Sequence, residues 1–319
     1  MSAPHTRPTQ TPPERPTRGK RGTRRGGGFS WFTERYDRFV LPAPAFLLVV
    51  LLLVFPVAFT LYMSLHSWNG GLRPPEFVGL DNFARTLEDA RFWGGVLRTG
   101  YFVGLAVGMQ VVLGVAAALV FHRKFVGRGA ARAFFLFPMI ATPAAIALVW
   151  KMMFDPTLGV LSYLSQAVGG PPITWTSDPN LVIPALAMID TWQWTPLVML
   201  IVLAGLAALP HEPYEAARID GAGELRVLFS ITLPLLRPVV LTAAMFRLID
   251  CIKTFDTIMI ITAGGPGHSS EILNLYAFNQ NLSFLNFGYG SALLVWLTLL
   301  VFGVAILLTI ARRKGATSS

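Results

Sequence analysis

The chain has 319 residues, 53% of them hydrophobic and 13% charged, whereas about 25% of the residues in an ordinary soluble domain are charged. Its mean hydropathy is +0.55, and 26 Lys and Arg against 17 Asp and Glu give a formal net charge of +9. These values exclude a disordered chain and argue against a soluble enzyme, because there is too little polar surface to cover the core. The single cysteine, Cys251, excludes an internal disulfide framework and a cysteine-based zinc site.

The first 38 residues differ in composition from the rest of the chain. They contain nine Lys and Arg, with many Pro, Thr and Gly and almost no aliphatic residues. Such a segment cannot bury enough apolar surface to offset its loss of conformational entropy, so we expect residues 1–38 to form a disordered basic tail. The apolar run that follows is too long for a secretory signal peptide, which indicates a retained membrane helix.

Apolar runs long enough to cross a bilayer recur through residues 39–319. A bilayer core about 30 Å thick needs roughly 20 apolar residues in a helix. By this measure the sequence predicts an all-α, polytopic membrane protein with six transmembrane helices. The predicted spans are residues 39–63, 99–121, 133–154, 181–209, 238–262 and 287–310.

The distribution of Lys and Arg between the loops predicts the orientation of the chain, because cytoplasmic loops are enriched in these residues. With six spans, the tail, the loops 122–132 and 210–237 and the C-terminus lie on one side and hold 19 of the 26 basic residues. The loops on the other side hold four. We therefore expect both termini in the cytoplasm. The basic excess then faces anionic membrane lipid, and no nucleic-acid partner is expected.

Ionisable residues inside the predicted spans are candidates for function, because a charge at mid-membrane costs about 2.5–3.5 kcal/mol on insertion scales. In the fifth span, charges of alternating sign recur at every third position, and they either neutralise one another at a helix–helix interface or line a hydrated pathway. In the fourth span, aromatic and polar neighbours of an aspartate would suit a sugar if they face a cavity, and ordinary packing explains them equally well. The candidate pathway residues are Asp190, Trp192, Gln193, Trp194, Arg247, Asp250, Lys253 and Asp256.

The loop between the fourth and fifth spans, residues 210–237, is longer than a connection requires. Pro213 fits the first turn of a helix, and Glu215 suits the positive end of that helix dipole. Gly221 permits a turn or a close backbone approach, and a second amphipathic piece would run on to a stop at Pro234. A helix–turn–helix of this kind, lying flat at the membrane surface, indicates a docking element on the cytoplasmic side.

The same loop resembles the EAA loop of permease subunits in bacterial binding-protein-dependent ABC importers. Every fixed position of that pattern is filled at the right spacing. The matching residues are Glu215-Ala216-Ala217, then Gly221 after three residues, and then Ile231-x-Leu233-Pro234 after nine more.

Softer similarities extend the resemblance over roughly residues 40–310 and point to the carbohydrate uptake group, which includes the maltose, lactose and glycerol-phosphate permeases. They lie in residues 77–99 and 255–292. The resemblance implies the type I ABC importer transmembrane fold in a bacterial cell membrane. It places a permease domain at residues 39–319, with the family core at about residues 95–310.

The resemblance also implies partners and roles. The partners would be a second, homologous permease subunit in a heterodimer, two ATP-binding subunits, and an extracytoplasmic solute-binding protein that delivers a sugar or related polyol. Coupling to the ATPase is assigned to Glu215 and Gly221. Because the chain contains no G-x-x-x-x-G-K-[ST] phosphate loop, ATP and Mg would bind to the partner ATPase, and this chain would be neither an enzyme nor a cofactor carrier. The supporting coupling residues are Ala216, Ala217, Asp220, Ile231, Leu233 and Pro234.

Two other functions explain less of the sequence. An ion-coupled secondary transporter of a small solute would use Asp190 and Asp250 as proton or sodium sites, but it has no need of the EAA loop. An intramembrane enzyme would need catalytic groups inside the spans. None of the five histidines lies well inside a span, and the chain has neither H-E-x-x-H nor G-x-S-x-G.

Overall fold

The computed structural model describes residues 42–316, with side chains described as far as residue 310. The predicted tail, residues 1–38, and the first three residues of the first predicted span lie outside the described residues. Contacts divide the chain after Pro56 into two units, and the packing given below lies within the second unit, which begins at Val57.

The described residues are mostly helical, as predicted, and they include one short antiparallel ribbon in which His66 pairs with Phe77 and Ser67 with Glu76. Within this part of the chain the strands are β1 His66–Ser67 and β2 Glu76–Phe77, and the helices are α1 Ala43–Ser64, α2 Asp81–Glu88, α3 Ala90–His122, α4 Arg128–Ile140, α5 Pro143–Met153, α6 Val160–Ala167, α7 Val182–Ala207, α8 Glu212–Ile219, α9 Glu224–Ile252, α10 Asp256–Ile261, α11 Leu273–Phe278 and α12 Phe287–Ala316. Turns of π-helix occur at Val50–Val54 in α1, at Leu228–Thr232 in α9 and at Asn279–Ser283 after α11.

Of the described helices, five are long and apolar enough to cross a membrane, namely α1, α3, α7, α9 and α12. The bent pair of α4 and α5 would make a sixth span if it is counted as one. The first, second, fourth and sixth predicted spans coincide with α1, α3, α7 and α12, although α3 begins at Ala90, well before residue 99. Hydropathy therefore located these four helices correctly.

The third predicted span, residues 133–154, is not one helix. α4 ends at Ile140 and α5 begins at Pro143, with a bend of 96° between them. Thr142 precedes the proline, which disfavours helical dihedral angles, and its ψ is 142°. Its hydroxyl oxygen caps α5 by accepting a hydrogen bond from the backbone N–H of Ala145 at 3.4 Å. The prediction of one unbroken helix here is therefore wrong, while a membrane span at this place stays a prediction.

The fifth predicted span, residues 238–262, is wrong at both ends. α9 begins at Glu224 and continues through Pro234 and Pro238 to Ile252. Pro234 is tolerated because it stands directly after the π-helical turn, at the start of the regular α-helical segment, where its missing N–H costs least. The amphipathic piece expected to stop at Pro234 is thus the first part of a long helix.

Helix α7 lies at the centre of the packing. In its most apolar stretch 67% of the residues are buried, against at most 33% in the other candidate spans. It packs along α3, and α9 lies against both. Gly114 lets α3 come close, because a Cβ there would lie 2.6 Å from Cγ1 of Val198. In lipid, such close packing and polar contacts hold helices together, since the bilayer interior is as apolar as their side chains.

A polar network ties the start of α3 to the segment before α11. The Arg91 guanidinium donates two hydrogen bonds of 2.7 Å to the carboxylate of Glu271, and Asn279 Nδ2 donates a third at 2.9 Å. Arg98 Nε donates to the backbone oxygen of Glu271 at 2.9 Å. Burial alone would raise the pKa of Glu271, but these bonds and the Arg91 charge hold that pKa below its ordinary value.

A second carboxylate at this end of the bundle accepts hydrogen bonds from the hydroxyl groups of two tyrosines. Tyr276 and Tyr289 each donate to Oδ2 of Asp89 at 2.6 Å. Burial and the bond to Asp89 raise the pKa of Tyr276 to about 12, so its hydroxyl remains a donor. The two networks together fix the loops at this end against α3 and α12.

Substitution of the buried carboxylate should remove a pH-dependent contribution to stability. We expect Glu271→Gln to lower the free energy of unfolding at neutral pH by about 1.5–3 kcal/mol, the value of hydrogen bonds to a charged group. Because the folded pKa of Glu271 is depressed, its contribution is present above 4.5 and is lost as pH falls through the folded value. Thermal unfolding in detergent should show the difference from wild type shrinking below pH 4.5. A constant difference would contradict this, and the exposed Glu88→Gln is the control.

Candidate functional site

A cavity of about 210 Å³ lies where α7, the end of α9 and α10 meet the start of α5. Each of α7, α9 and α10 contributes one carboxylate to its wall, and α7 also contributes the indole of Trp194. Its wall therefore combines charge, hydroxyls and aromatic faces inside a largely apolar bundle. The lining residues are Pro143, Asp190, Trp194, Asp250, Lys253, Thr254, Phe255, Asp256 and Thr257.

Behind this wall, Arg247 joins three helices. Its Nη2 donates to Asp190 Oδ2 at 2.9 Å, its Nη1 to Asp250 Oδ2 at 2.5 Å, and its Nε to Gln110 Oε1 at 2.8 Å. Gln110 Nε2 in turn donates to Asp190 Oδ2 at 2.6 Å. The guanidinium lies 4.9 Å from the ring centroid of Trp194. Every guanidinium nitrogen thus has a hydrogen-bond partner from the chain itself.

The network is buried on one side and open on the other. The side chains of Arg247 and Asp190 are 1% and 3% exposed, whereas that of Asp250 is 55% exposed. A buried ion pair is costly to break because the remaining charge has lost its solvent. Arg247 therefore holds Asp190 inside the bundle and orients Asp250 at the edge of the cavity.

The four charges of the fifth predicted span do not share one helix. Arg247 and Asp250 lie in α9, which ends at Ile252, and Asp256 is the first residue of α10. Lys253, between the helices, lines the cavity together with Asp250 and Asp256. Arg247 thus packs at a helix interface and the other three line a cavity, while the hydrated pathway stays a prediction.

The candidate residues of the fourth predicted span are likewise divided between the cavity wall and packing positions outside it. Trp194 lines the cavity, but Trp192 lies outside it, is 43% exposed and packs edge-on against Trp150 at 5.6 Å. Gln193 is buried and donates to the backbone oxygen of Ala141 at 3.3 Å. Sequence reasoning also missed Gln110, which a search for amides inside apolar spans would have found.

At the opposite end of α9, the segment 210–237 forms the expected short helix. α8 begins at Glu212 with Pro213 in its first turn, as predicted. Gly221 has φ of +72°, and its N–H donates to the oxygen of Arg218 at 3.1 Å. The N–H of Ala222 donates to the oxygen of Ala217 at 2.9 Å, which completes a Schellman motif that favours glycine.

The exposed surface of α8 and of the turn after it contains four of the eight candidate coupling residues. Glu215, Ala216, Asp220 and Gly221 are exposed, whereas Ala217 is buried. Ile231, Leu233 and Pro234 belong to the first turns of α9 instead of a separate surface helix. The Tyr214 hydroxyl donates a hydrogen bond to the Thr232 hydroxyl oxygen at 3.2 Å and so ties α8 to α9.

Residues 110–314 match the model of the protein family described as "Binding-protein-dependent transport system inner membrane component". The chain is 35% identical over 269 residues to the trehalose/maltose transport system permease protein MalF of Thermococcus litoralis, covering 84% of this chain and 90% of the relative. It is 35% identical over 278 residues to the sulfoquinovosyl glycerol transport system permease protein SmoG of Agrobacterium fabrum, covering 86% and 90%.

The fold has a solved counterpart. One chain in the crystal structure of a bacterial alginate ABC transporter, in complex with an alginate pentasaccharide-bound periplasmic protein, superposes with a TM-score of 0.77. The sequence identity is 16%, and the likeness covers 90% of this chain and 98% of that one. At this identity the comparison establishes the shared architecture.

Proposed function

The chain belongs to the family of binding-protein-dependent transport system inner membrane components, and from this premise we propose that it imports a sugar or related polyol as the permease subunit of an ATP-driven transporter. It would form half of the translocation pathway, with a second homologous permease subunit forming the other half in a heterodimer. An extracytoplasmic solute-binding protein would deliver the solute. Two ATPase subunits would bind ATP and Mg, leaving this chain without a cofactor.

The observation that carries the sugar assignment is the cavity between α7, α9 and α10. Trp194 and Phe255 offer aromatic faces, and Thr254 and the aspartates offer partners for hydroxyl groups. Apolar faces with a few convergent polar groups are typical of small-molecule sites. Two relatives are named for trehalose or maltose and for sulfoquinovosyl glycerol, all of them glycosides.

Coupling to ATP hydrolysis is assigned to α8 and the turn after it. Glu215, Asp220 and Gly221 lie on its exposed surface, and the small Ala216 beside them leaves room for a partner to approach. Ile231, Leu233 and Pro234 would support this surface from the first turns of α9.

The continuity of α9 supplies a physical link between the two sites. From Glu224 to Asp250 the helix is about 40 Å long at 1.5 Å per residue. Tyr214 attaches α8 to this helix near its start, and Asp250 lies at the cavity near its end. Closure of the ATPase subunits on α8 would therefore move a rigid element that reaches the solute, which is the two-state coupling that transport requires.

The family is one of multi-pass membrane proteins, and six spans with both termini in the cytoplasm fit the proposal best. Counting α4 and α5 as one broken span gives the six spans that the proposal requires. A secondary transporter has less support, because the Asp190 carboxylate that it would use for ion coupling is occupied by Gln110 and Arg247.

The energy source tests the proposal. In proteoliposomes that contain the assembled transporter and its binding protein, we expect uptake of trehalose or maltose to require ATP and to persist when an uncoupler collapses the proton gradient. Omitting the binding protein serves as a control and should abolish uptake. Uptake that continues without ATP and stops with the uncoupler would instead establish a secondary transporter.

A further inference from the structure

The charges around the cavity do not balance. Three aspartates and one lysine line it, and Arg247 lies behind the wall, bonded to Asp190. Asp190 and Arg247, both almost fully buried, cancel one another. Asp250, Lys253 and Asp256 remain, so the wall carries a formal charge of −1.

Arg247 is not available to a bound solute. Its three guanidinium nitrogens donate to Asp190, Asp250 and Gln110, and the indole of Trp194 covers it at 4.9 Å. At 1% exposure it has no surface left for an anion. The arginine fork that commonly recognises carboxylates and phosphates is therefore already occupied by groups of the chain itself.

Lys253 is the one cationic side chain among the residues that line the cavity, and it lies between two aspartates in sequence. It precedes Asp256 by three positions and follows Asp250 by three. An anionic solute near it would also meet two carboxylates in a space of about 210 Å³. Like charges repel more strongly where water is partly excluded, because the effective dielectric constant is lower there.

We propose that this cavity selects uncharged saccharides or polyols and disfavours sugars that carry a carboxylate, phosphate or sulfonate. This inference rests on the proposed function, since it names the substrate class of the same pathway. A neutral sugar donates its hydroxyl hydrogens to Asp250 and Asp256 and stacks against Trp194. An anionic group has only Lys253 as a cationic partner, and both carboxylates repel it.

The chain has a single native cysteine, so replacing it allows one new thiol to be placed in the cavity wall. The reactivity of that thiol then reports the electrostatic potential of the cavity. In the full chain, assembled with its partners and carrying Cys251→Ala, Thr254→Cys places one thiol in the cavity wall. Its modification rates are measured with a cationic trimethylammonium-ethyl and an anionic sulfonatoethyl methanethiosulfonate, in membranes opened by mild detergent. The rate ratio is divided by that at Ser283→Cys, an exposed position flanked by uncharged Leu282 and Phe284. This normalisation removes the intrinsic difference between the reagents.

The normalised ratio should favour the cation by about tenfold, equivalent to ~1.4 kcal/mol. Asp256→Asn should bring the ratio towards one, and Lys253→Gln should raise it. A ratio at or below one, or a Thr254→Cys thiol that neither reagent reaches, would overturn the inference. The labelling does not depend on sugar uptake, so a transporter that shows the cationic preference but carries no sugar would contradict only the proposed function.

Discussion

Arg247→Met is expected to lower the free energy of unfolding by about 3–5 kcal/mol, the cost of removing one partner from a buried ion pair. The substitution leaves Asp190, which is 3% exposed, without its countercharge, and it removes the guanidinium that lies over the ring of Trp194. Asp250 keeps contact with solvent and contributes little to the loss. Thermal unfolding of the purified protein in detergent measures the change.

A second variant separates the lost charge pair from lost packing. Asp190→Leu combined with Arg247→Met removes both buried charges, so we expect it to regain a large part of the stability lost in the single variant. The matched control is Glu224→Gln, which breaks an ion pair with Arg123 in which both side chains are mostly exposed. Such a pair is worth less than about 1 kcal/mol. An Arg247→Met variant no less stable than Glu224→Gln would show that the buried network contributes nothing.

The parts of the fold that the sequence predicts correctly are those determined locally. Long apolar runs identify α1, α3, α7 and α12, because spanning a bilayer is a property of each segment alone. The helix around Pro213 and the turn at Gly221 also follow from local rules, and the φ of +72° at Gly221 confirms the expected turn.

The wrong helix boundaries lie at prolines whose effect on the helix depends on the surrounding structure. The chain contains prolines at positions 143, 234 and 238, yet of these three only Pro143 begins a new helix. Pro143 follows two residues in extended conformation, whereas Pro234 follows a π-helical turn and remains inside α9. Sequence periodicity cannot distinguish these settings, because the π-helical turn is a product of the assembled helix.

The contacts of the candidate pathway residues were only partly predictable for a related reason. Charge inside a span identified Asp190, Arg247 and Asp250, but not which of them pairs with which. The contact between Arg247 and Asp190 joins residues 57 positions apart. Gln110, which completes the network from a third helix, carries no charge and therefore gave no comparable signal.

Replacing Gly221 with tryptophan is expected to abolish sugar uptake while leaving membrane insertion intact. Nothing lies within 4 Å of a Cβ placed at this residue, so the change creates no clash inside the chain. Its φ of +72° strains any L-residue by about 1–2 kcal/mol, a small fraction of the stability of a bundle. Loss of transport would thus come mainly from obstruction of the α8 surface that we propose contacts the ATPase.

Asparagine distinguishes backbone strain from obstruction of that surface. It tolerates positive φ better than other residues that have a side chain, so Gly221→Asn keeps the turn but adds a polar group. We expect a partial loss of uptake in this variant. Gly169 is a matched control, because its φ is +81°, it is exposed, and a Cβ there would meet nothing within 4 Å. Gly169→Asn should transport like the wild type.

The most direct measurement of coupling through α8 is ATP hydrolysis by the assembled transporter, with and without sugar-loaded binding protein. The wild type should be stimulated by the loaded binding protein. Gly221→Trp should insert into the membrane, retain its other permease partner and show no stimulation. Stimulated hydrolysis at the wild-type level in Gly221→Trp would contradict the assignment of α8 as the element that couples this chain to ATP.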